Sequence, residues 1–137
     1  MKILVATDGS EQAMKAVKRA LELAENEGAD VTIMSVAYFS KDDFDDMPPG
    51  IQDKLDSDAL KALNKAKTLF DKKNIKVKTV IETGLVPANN ILKRAEKMKC
   101  DRILMGSTGH TGIKRALMGS TAAKVVAQAP CTVTVIR

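Results

Sequence analysis

Apolar and polar positions along the chain follow two rhythms that take turns. Ile3-Leu4-Val5-Ala6 is an unbroken apolar run, the pattern of a short strand buried on both faces. Ser10 then sits where it can cap a helix, with Glu11 in the first turn. In that helix Ala13, Val17, Ala20, Leu21 and Ala24 fall at offsets 0, 4, 7, 8 and 11, which is one stripe, and Gly28 stops it. Val31 to Val36 reads as a second strand. Tyr38 to Gln52 carries Asp42, Asp43, Asp45, Asp46 and Pro48-Pro49-Gly50, and reads as a loop. A second helix follows, with Ala59, Ala62, Leu63, Ala66, Leu69 and Phe70 on one side and Asn74 at its end.

From Ile75 to Ile81 the rhythm changes to period two. Ile75, Val77, Thr79 and Ile81 alternate with Lys76 and Lys78, which predicts a half-exposed strand at a sheet edge. Pro87 suits the first turn of a third helix, whose stripe is Ala88, Ile91, Leu92, Ala95 and Met98. Arg102 to Met105 is a fourth strand. Gly106 to Gly119 is a loop, with room for one helical turn at 113–118. Ser120 to Gln128 is a short helix ended by Pro130, and Cys131 to Ile136 is the last strand.

The order is β-α-β-α-β-α-β-α-β. Strands separated by helices make a parallel sheet, since each crossover returns the chain to the same end. Right-handed crossovers then give an α/β fold, an open doubly wound sheet of five parallel strands with four helices. The strand order 3-2-1-4-5 would set strands 1 and 4 side by side. With 137 residues, 45% hydrophobic and 28% charged, the chain reads as one domain with a real core. Apolar runs the size of Ile3 to Ala6 fall far short of the ~20 residues a membrane helix needs. That run is also too short for a signal peptide and leads straight into Asp8, so the expected address is cytoplasmic.

Charge and composition prune further. A net charge of +5 accommodates an anionic ligand, but the basic residues are spread along helix faces. With three Phe, one Tyr and no Trp, the stacking aromatics and basic stripe of a nucleic-acid binder are missing. Cys100 and Cys131 have no CxxC spacing; counting alone leaves a disulfide open, and the preferred reading is two partly buried free thiols. With the single His110 they match no standard zinc spacing.

In doubly wound sheets ligands bind beyond the carboxyl ends of the strands, where the winding reverses. Two unusual segments lie at that rim: Thr7-Asp8-Gly9-Ser10 after strand 1 and Gly106-Ser107-Thr108-Gly109 after strand 4. A phosphate needs several backbone N–H groups aimed at it, and glycine lets the backbone come close. Gly119-Ser120 then opens a helix whose first-turn amides favour an anion, with hydroxyls from Ser120 and Thr121 and charge from Lys114 and Arg115 nearby. On the residues alone, the glycines serve either this purpose or tight turns. A carboxylate at Asp8 repels a phosphate unless a cation intervenes, so it suits ribose hydroxyls or Mg2+; it equally suits an Asp-Gly-Ser turn. The chain has no GxxxxGK[ST] loop, no GxGxxG after strand 1 and no GxSxG elbow. His110 could touch a phosphate or take a proton, but no second residue orients it as a catalytic base. A receiver-type phosphorylation switch needs an aspartate after strand 3 and a lysine after strand 5; the chain has Glu82-Thr83-Gly84 and Arg137 instead.

The spacing Gly106-x2-Gly109-x9-Gly119-Ser120 resembles the phosphate and ribose pattern of the universal stress protein family's ATP-binding branch. Ile3-Leu4-Val5-Ala6-Thr7-Asp8-Gly9-Ser10 and Pro130-Cys131-Thr132-Val133-Thr134-Val135 are similar to that family's opening and closing segments. The resemblance covers the whole chain and implies an adenine nucleotide alpha hydrolase-like fold with ATP in the crevice. It implies that Ala6, Thr7 and Val36 line the adenine pocket, Val36 through main-chain hydrogen bonds, and that Asp8 holds the ribose or a metal. By the same resemblance Met105 and Gly106 flank the nucleotide, and Gly109, Gly119, Ser120 and Thr121 hold the phosphates. Position 110 is histidine where the family frequently has arginine. The acidic loop from Lys41 to Gly50 would partly cover the nucleotide. The family further implies a homodimer through the last strand and a regulatory protein partner in stress response. The expected role is a nucleotide-binding regulator. A slow ATPase or autokinase, and a nucleotide-free interaction module, are the alternatives. The residues do not separate ATP from ADP, AMP or a cyclic nucleotide.

Overall fold

The computed structural model describes residues 1–38, 50–108 and 118–137. Strand β1 (Lys2–Ala6) is the centre of the sheet. It pairs in parallel with β2 (Asp30–Tyr38) on one side, Ile3 opposite Val31, and with β4 (Arg102–Gly106) on the other, Ile3 opposite Arg102. β3 (Lys78–Gly84) flanks β2 and β5 (Thr132–Ile136) flanks β4, so the order is β3-β2-β1-β4-β5, all parallel, as expected. The winding direction therefore reverses between β1 and β4.

Period two sends alternate residues of the central strands to opposite faces. Ile3 and Val5 join Val31, Ile33 and Leu104 on the face covered by α1 (Glu11–Glu27) and α2 (Ile51–Asp71), where Val17, Ala20, Ala66 and Phe70 meet them. Leu4 joins Met34, Ile103 and Met105 on the other face. There α3 (Pro87–Met98) contributes Ile91 and Ala95, and α4 (Ser120–Gln128) contributes Ala122 and Val125. Ile3, Leu4 and Val5 are wholly buried, which is why their run shows no polar interruption.

The helix ends follow local chemistry. The Ser10 hydroxyl accepts from the Ala13 amide at 3.3 Å, and Gly28 closes α1 in the left-handed region at φ 67°. Pro87 opens α3. Several boundaries differ from the sequence reading: β2 runs on to Tyr38 and β3 to Gly84, and β5 starts at Thr132. Ile51 and Gln52 belong to α2, which starts directly after Gly50. β3 begins at Lys78 and not at Ile75, because the Ile75 amide is still bonded to the Phe70 carbonyl at 3.1 Å, closing the end of α2. Ile75 and Val77 pack on the α1–α2 core as the chain approaches the sheet. Ile81 is 44% exposed, since an edge strand has no neighbour beyond it. Glu82 on the same strand meets α3, accepting from the Arg94 Nε at 2.8 Å and from the Asn90 side-chain Nδ2 at 3.1 Å. No helix among the described residues is long and apolar enough to cross a membrane.

Candidate functional site

At the carboxyl end of the sheet the strands of a parallel fold release their chain toward one rim. Between β1 and β4 the two departing segments move apart, because one leads to α1 on one face and the other to α4 on the opposite face. The result is a cleft of about 560 Å³. Ala6, Thr7, Asp8 and Gly9 border it from β1, and Met105, Gly106, Ser107 and Thr108 from β4. Met34, Ser35 and Val36 of β2 complete the floor.

The turn after β1 is closed by its own side chains. The Thr7 amide donates to the Met34 carbonyl at 2.9 Å, carrying the β1–β2 ladder one residue further. The Thr7 hydroxyl accepts from Gly9 at 3.1 Å, and the Asp8 carboxylate accepts from Ser10 at 2.9 Å. Asp8 is thus both an exposed acid at the cleft and the anchor of the turn into α1. Gly9 has φ 82°, and a Cβ there would lie 3.1 Å from the Ala62 Cβ of α2. Lys65 of α2 donates to the Gly9 carbonyl at 3.1 Å, so α2 holds the turn from outside.

The other rim is a closed loop neck. The Ser107 amide donates to the Ile136 carbonyl at 2.8 Å, and the Gly119 amide donates to the Ser107 carbonyl at 2.7 Å. Gly106 lies against α1: a Cβ on it would fall 2.8 Å from the carbonyl carbon of Gln12. Gly119 precedes α4 with φ −66°, a value open to any residue, and α4 has no side-chain cap hydrogen bond. The first-turn amides of such a helix lack intrahelical partners. Thr121 and Ala122 border the cleft, so that turn stands at its edge.

Of the residues singled out from sequence, Ala6, Thr7, Asp8, Val36, Met105, Gly106, Gly119 and Thr121 converge on this one cleft. Ser120 begins α4 with an exposed side chain and does not line it. Gly109, His110, Lys114 and Arg115, and residues 39–49 of the acidic loop, lie outside the described residues, as does nearly all of the turn expected at 113–118. Gly119 differs from its expected role in one respect: its amide is engaged by Ser107, so it joins the two ends of the loop and has no N–H left for an anion.

Sequence reasoning missed a whole wall. Leu55, Asp58, Ala59, Lys61, Ala62 and Lys65 of α2 line the cleft, and Pro87 and Ile91 of α3 close its far side. Ala59 and Ala62 belong to a helical stripe that reads as ordinary core; their small size was the available signal, since small residues leave room for a ligand. Leu55, Val36, Ile91 and Pro87 give the cleft apolar lining, Asp58, Lys61 and Lys65 of α2 bring charge to it, and Ser107, Thr108 and Thr121 bring polar groups. Such a lining suits a molecule with a flat apolar part and an anionic part. Among the described residues no three His, Cys, Asp or Glu side chains gather as metal ligands. Asp8 and Asp58 each bring a carboxylate to the cleft, and a single carboxylate suits a cation that also takes oxygens from a bound phosphate, as Mg2+ does.

The chain matches the model of the universal stress protein family over residues 1–137. It belongs to that family. A universal stress protein of Methanocaldococcus jannaschii is 38% identical over 141 aligned residues, covering 99% of this chain and 81% of the relative. The solved structure of UspA, a universal stress protein from Lactobacillus plantarum, superposes with a TM-score of 0.84 at 30% identity, covering 100% of this chain and 97% of that one. A universal stress protein from Archaeoglobus fulgidus in complex with dAMP shares the fold with a TM-score of 0.74 at 23% identity, covering 100% of this chain and 98% of that one. A further family structure, in complex with cAMP, shares it at 20% identity with a TM-score of 0.71, covering 100% of this chain and 96% of that one.

Proposed function

We propose that the chain is a nucleotide-binding regulatory protein whose cleft takes an adenine nucleotide, with ATP as the ligand. The observation that carries this reading is the uncapped first turn of α4 at the edge of a cleft lined both by apolar side chains and by Thr121, Lys61 and Lys65. The base would lie against Val36 and Ile91, the ribose near Asp8, and the phosphates at Thr121 and the start of α4; Asp8 is the residue that would hold a Mg2+, which would offset the phosphate charge. Family members of the same fold that hold dAMP and cAMP support an adenine nucleotide as the ligand class. Binding would order the rim and change the surface offered to a protein partner.

Isothermal titration with ATP, ADP, AMP and cyclic AMP, each with and without Mg2+, tests this. One-to-one saturation by ATP below about 1 mM is expected. No saturation by any of the four would sink the reading.

The β5 edge is the natural place for a second copy. Its residues from Val133 to Ile136 are only half-buried, and an unpaired edge invites pairing. An antiparallel β5–β5 contact about a twofold axis closes on itself and gives a homodimer. Sedimentation of the wild type as a dimer, and of a Thr132→Lys/Thr134→Lys variant as a monomer, is the expected outcome; a monomeric wild type at high concentration would refute it.

A further inference from the structure

The end of the sheet opposite the cleft holds a pair of thiols. Cys100 ends the turn after α3 and Cys131, 31 positions further along the sequence, opens the approach to β5. The β4–β5 register sets Arg102 beside Thr132, which brings Cys100 and Cys131 to neighbouring, diagonally offset positions. From strand spacing and rise per residue that offset is roughly 6 Å between Cα atoms, inside the range a disulfide spans. The two Sγ atoms are 3.7 Å apart, in hydrogen-bonding contact, and both cysteines are free.

We propose that Cys100 and Cys131 form an oxidation site that closes reversibly into an intramolecular disulfide when the protein meets hydrogen peroxide or an organic hydroperoxide. The two thiols are unequal. Cys100 is buried, and its amide is fixed to the Ala95 carbonyl at 3.1 Å, whereas Cys131 is half-buried and reachable from solvent. Burial, followed by the Cys131 contact and the nearby Asp101 charge, pushes the Cys100 thiol up to about 12, so it stays protonated. Cys131 is therefore the thiol that meets the oxidant. Its thiolate attacks one peroxide oxygen: an S–O bond forms, the O–O bond breaks, and the departing oxygen takes up a proton to leave as water or an alcohol. The Cys100 sulfur then attacks the Cys131 sulfenic acid. The S–S bond forms, the S–O bond breaks, and the leaving hydroxide takes the Cys100 proton as water. Two thiols are oxidised and one peroxide is reduced.

The bond would close a loop that contains β4, both ends of the 108–118 segment and α4. Oxidation would thus stiffen the part of the chain that carries the polar rim of the cleft without touching a residue that lines it.

The test uses the full chain, reduced, then exposed to a small excess of hydrogen peroxide, denatured and alkylated for mass spectrometry. Both thiols should be lost together, within a single chain and with the loss of two hydrogens, and dithiothreitol should restore them. The oxidised form should melt about 5–10 °C higher than the reduced form. In Cys100→Ser, Cys131 should be trapped by dimedone as a sulfenic acid; in Cys131→Ser, Cys100 should remain alkylatable. The proposal is overturned if both wild-type thiols survive the peroxide, if only bonds between chains form, or if Cys131 runs on to sulfinic acid beside an intact Cys100.

Discussion

The amide of Gly119 donates to the carbonyl of Ser107 across 2.7 Å, joining the two ends of the segment that leaves β4 and returns to α4. That bond fixes where the first turn of α4 stands relative to the strand ends. A Cβ on Gly119 would come 3.2 Å from the same carbonyl oxygen, tighter than an ordinary contact. Alanine should be accommodated by a shift of a few tenths of an ångström. Valine should push the neck open. Gly119→Val is expected to weaken ATP binding about tenfold or more by titration, with thermal stability lowered by less than about 1 kcal/mol.

Gly106 should behave in the opposite way. Its missing Cβ is space occupied by the Gln12 carbonyl group, so β4 and α1 approach backbone to backbone. No flexible side chain is available to give way. Gly106→Ala should lower stability by about 1–3 kcal/mol in urea unfolding, with any loss of nucleotide affinity following from that displacement.

Asp8 separates structural from ligand roles. Asparagine keeps the oxygen that accepts from Ser10 at 2.9 Å, and so keeps the turn, while removing the charge. Asp8→Asn should leave the melting temperature nearly unchanged and weaken ATP binding more strongly with Mg2+ than without it. Asp8→Ala should lose both the affinity and some stability. Equal ATP affinity in wild type and Asp8→Asn, with and without Mg2+, would remove Asp8 from the proposed site.

Cys100 predicts a loss of stability in alkali. Its thiol ionises near 12 in the folded protein against an ordinary 9.0, chiefly because burial disfavours the charged form. Between those values the unfolded chain has released the proton and the folded chain still holds it. The contribution is full below pH 9 and falls as pH rises toward 12. Urea midpoints of the reduced protein, measured from about pH 8 to about pH 11, should fall more steeply in wild type than in Cys100→Ala, by a slope difference approaching one proton. Parallel slopes would show that the thiol is not shifted.

Much of the cleft is legible in the sequence, and for a specific reason. In a parallel sheet the carboxyl ends of all strands lie on one rim, so knowing that Ala6, Val36 and Met105 stand at or near the carboxyl ends of their strands is nearly enough to bring them together. The glycines at 106 and 119 were legible as special, but not in kind. One permits a backbone approach to α1 and the other closes a loop neck, and neither has a positive φ.

The sequence by itself determined the alternation of strands and helices, the helix caps at Ser10 and Gly28, and the rim on which a ligand would sit, because these depend on residues close in the chain or on the period of burial. Only the tertiary structure decided that α2 overhangs the cleft, that Ile81, on the apolar side of its strand's alternation, is exposed, that the Gly119 amide is already engaged, and that Cys100 meets Cys131. Each of these depends on which elements are neighbours in space, and a helical or alternating pattern records only that a face is covered, not by what.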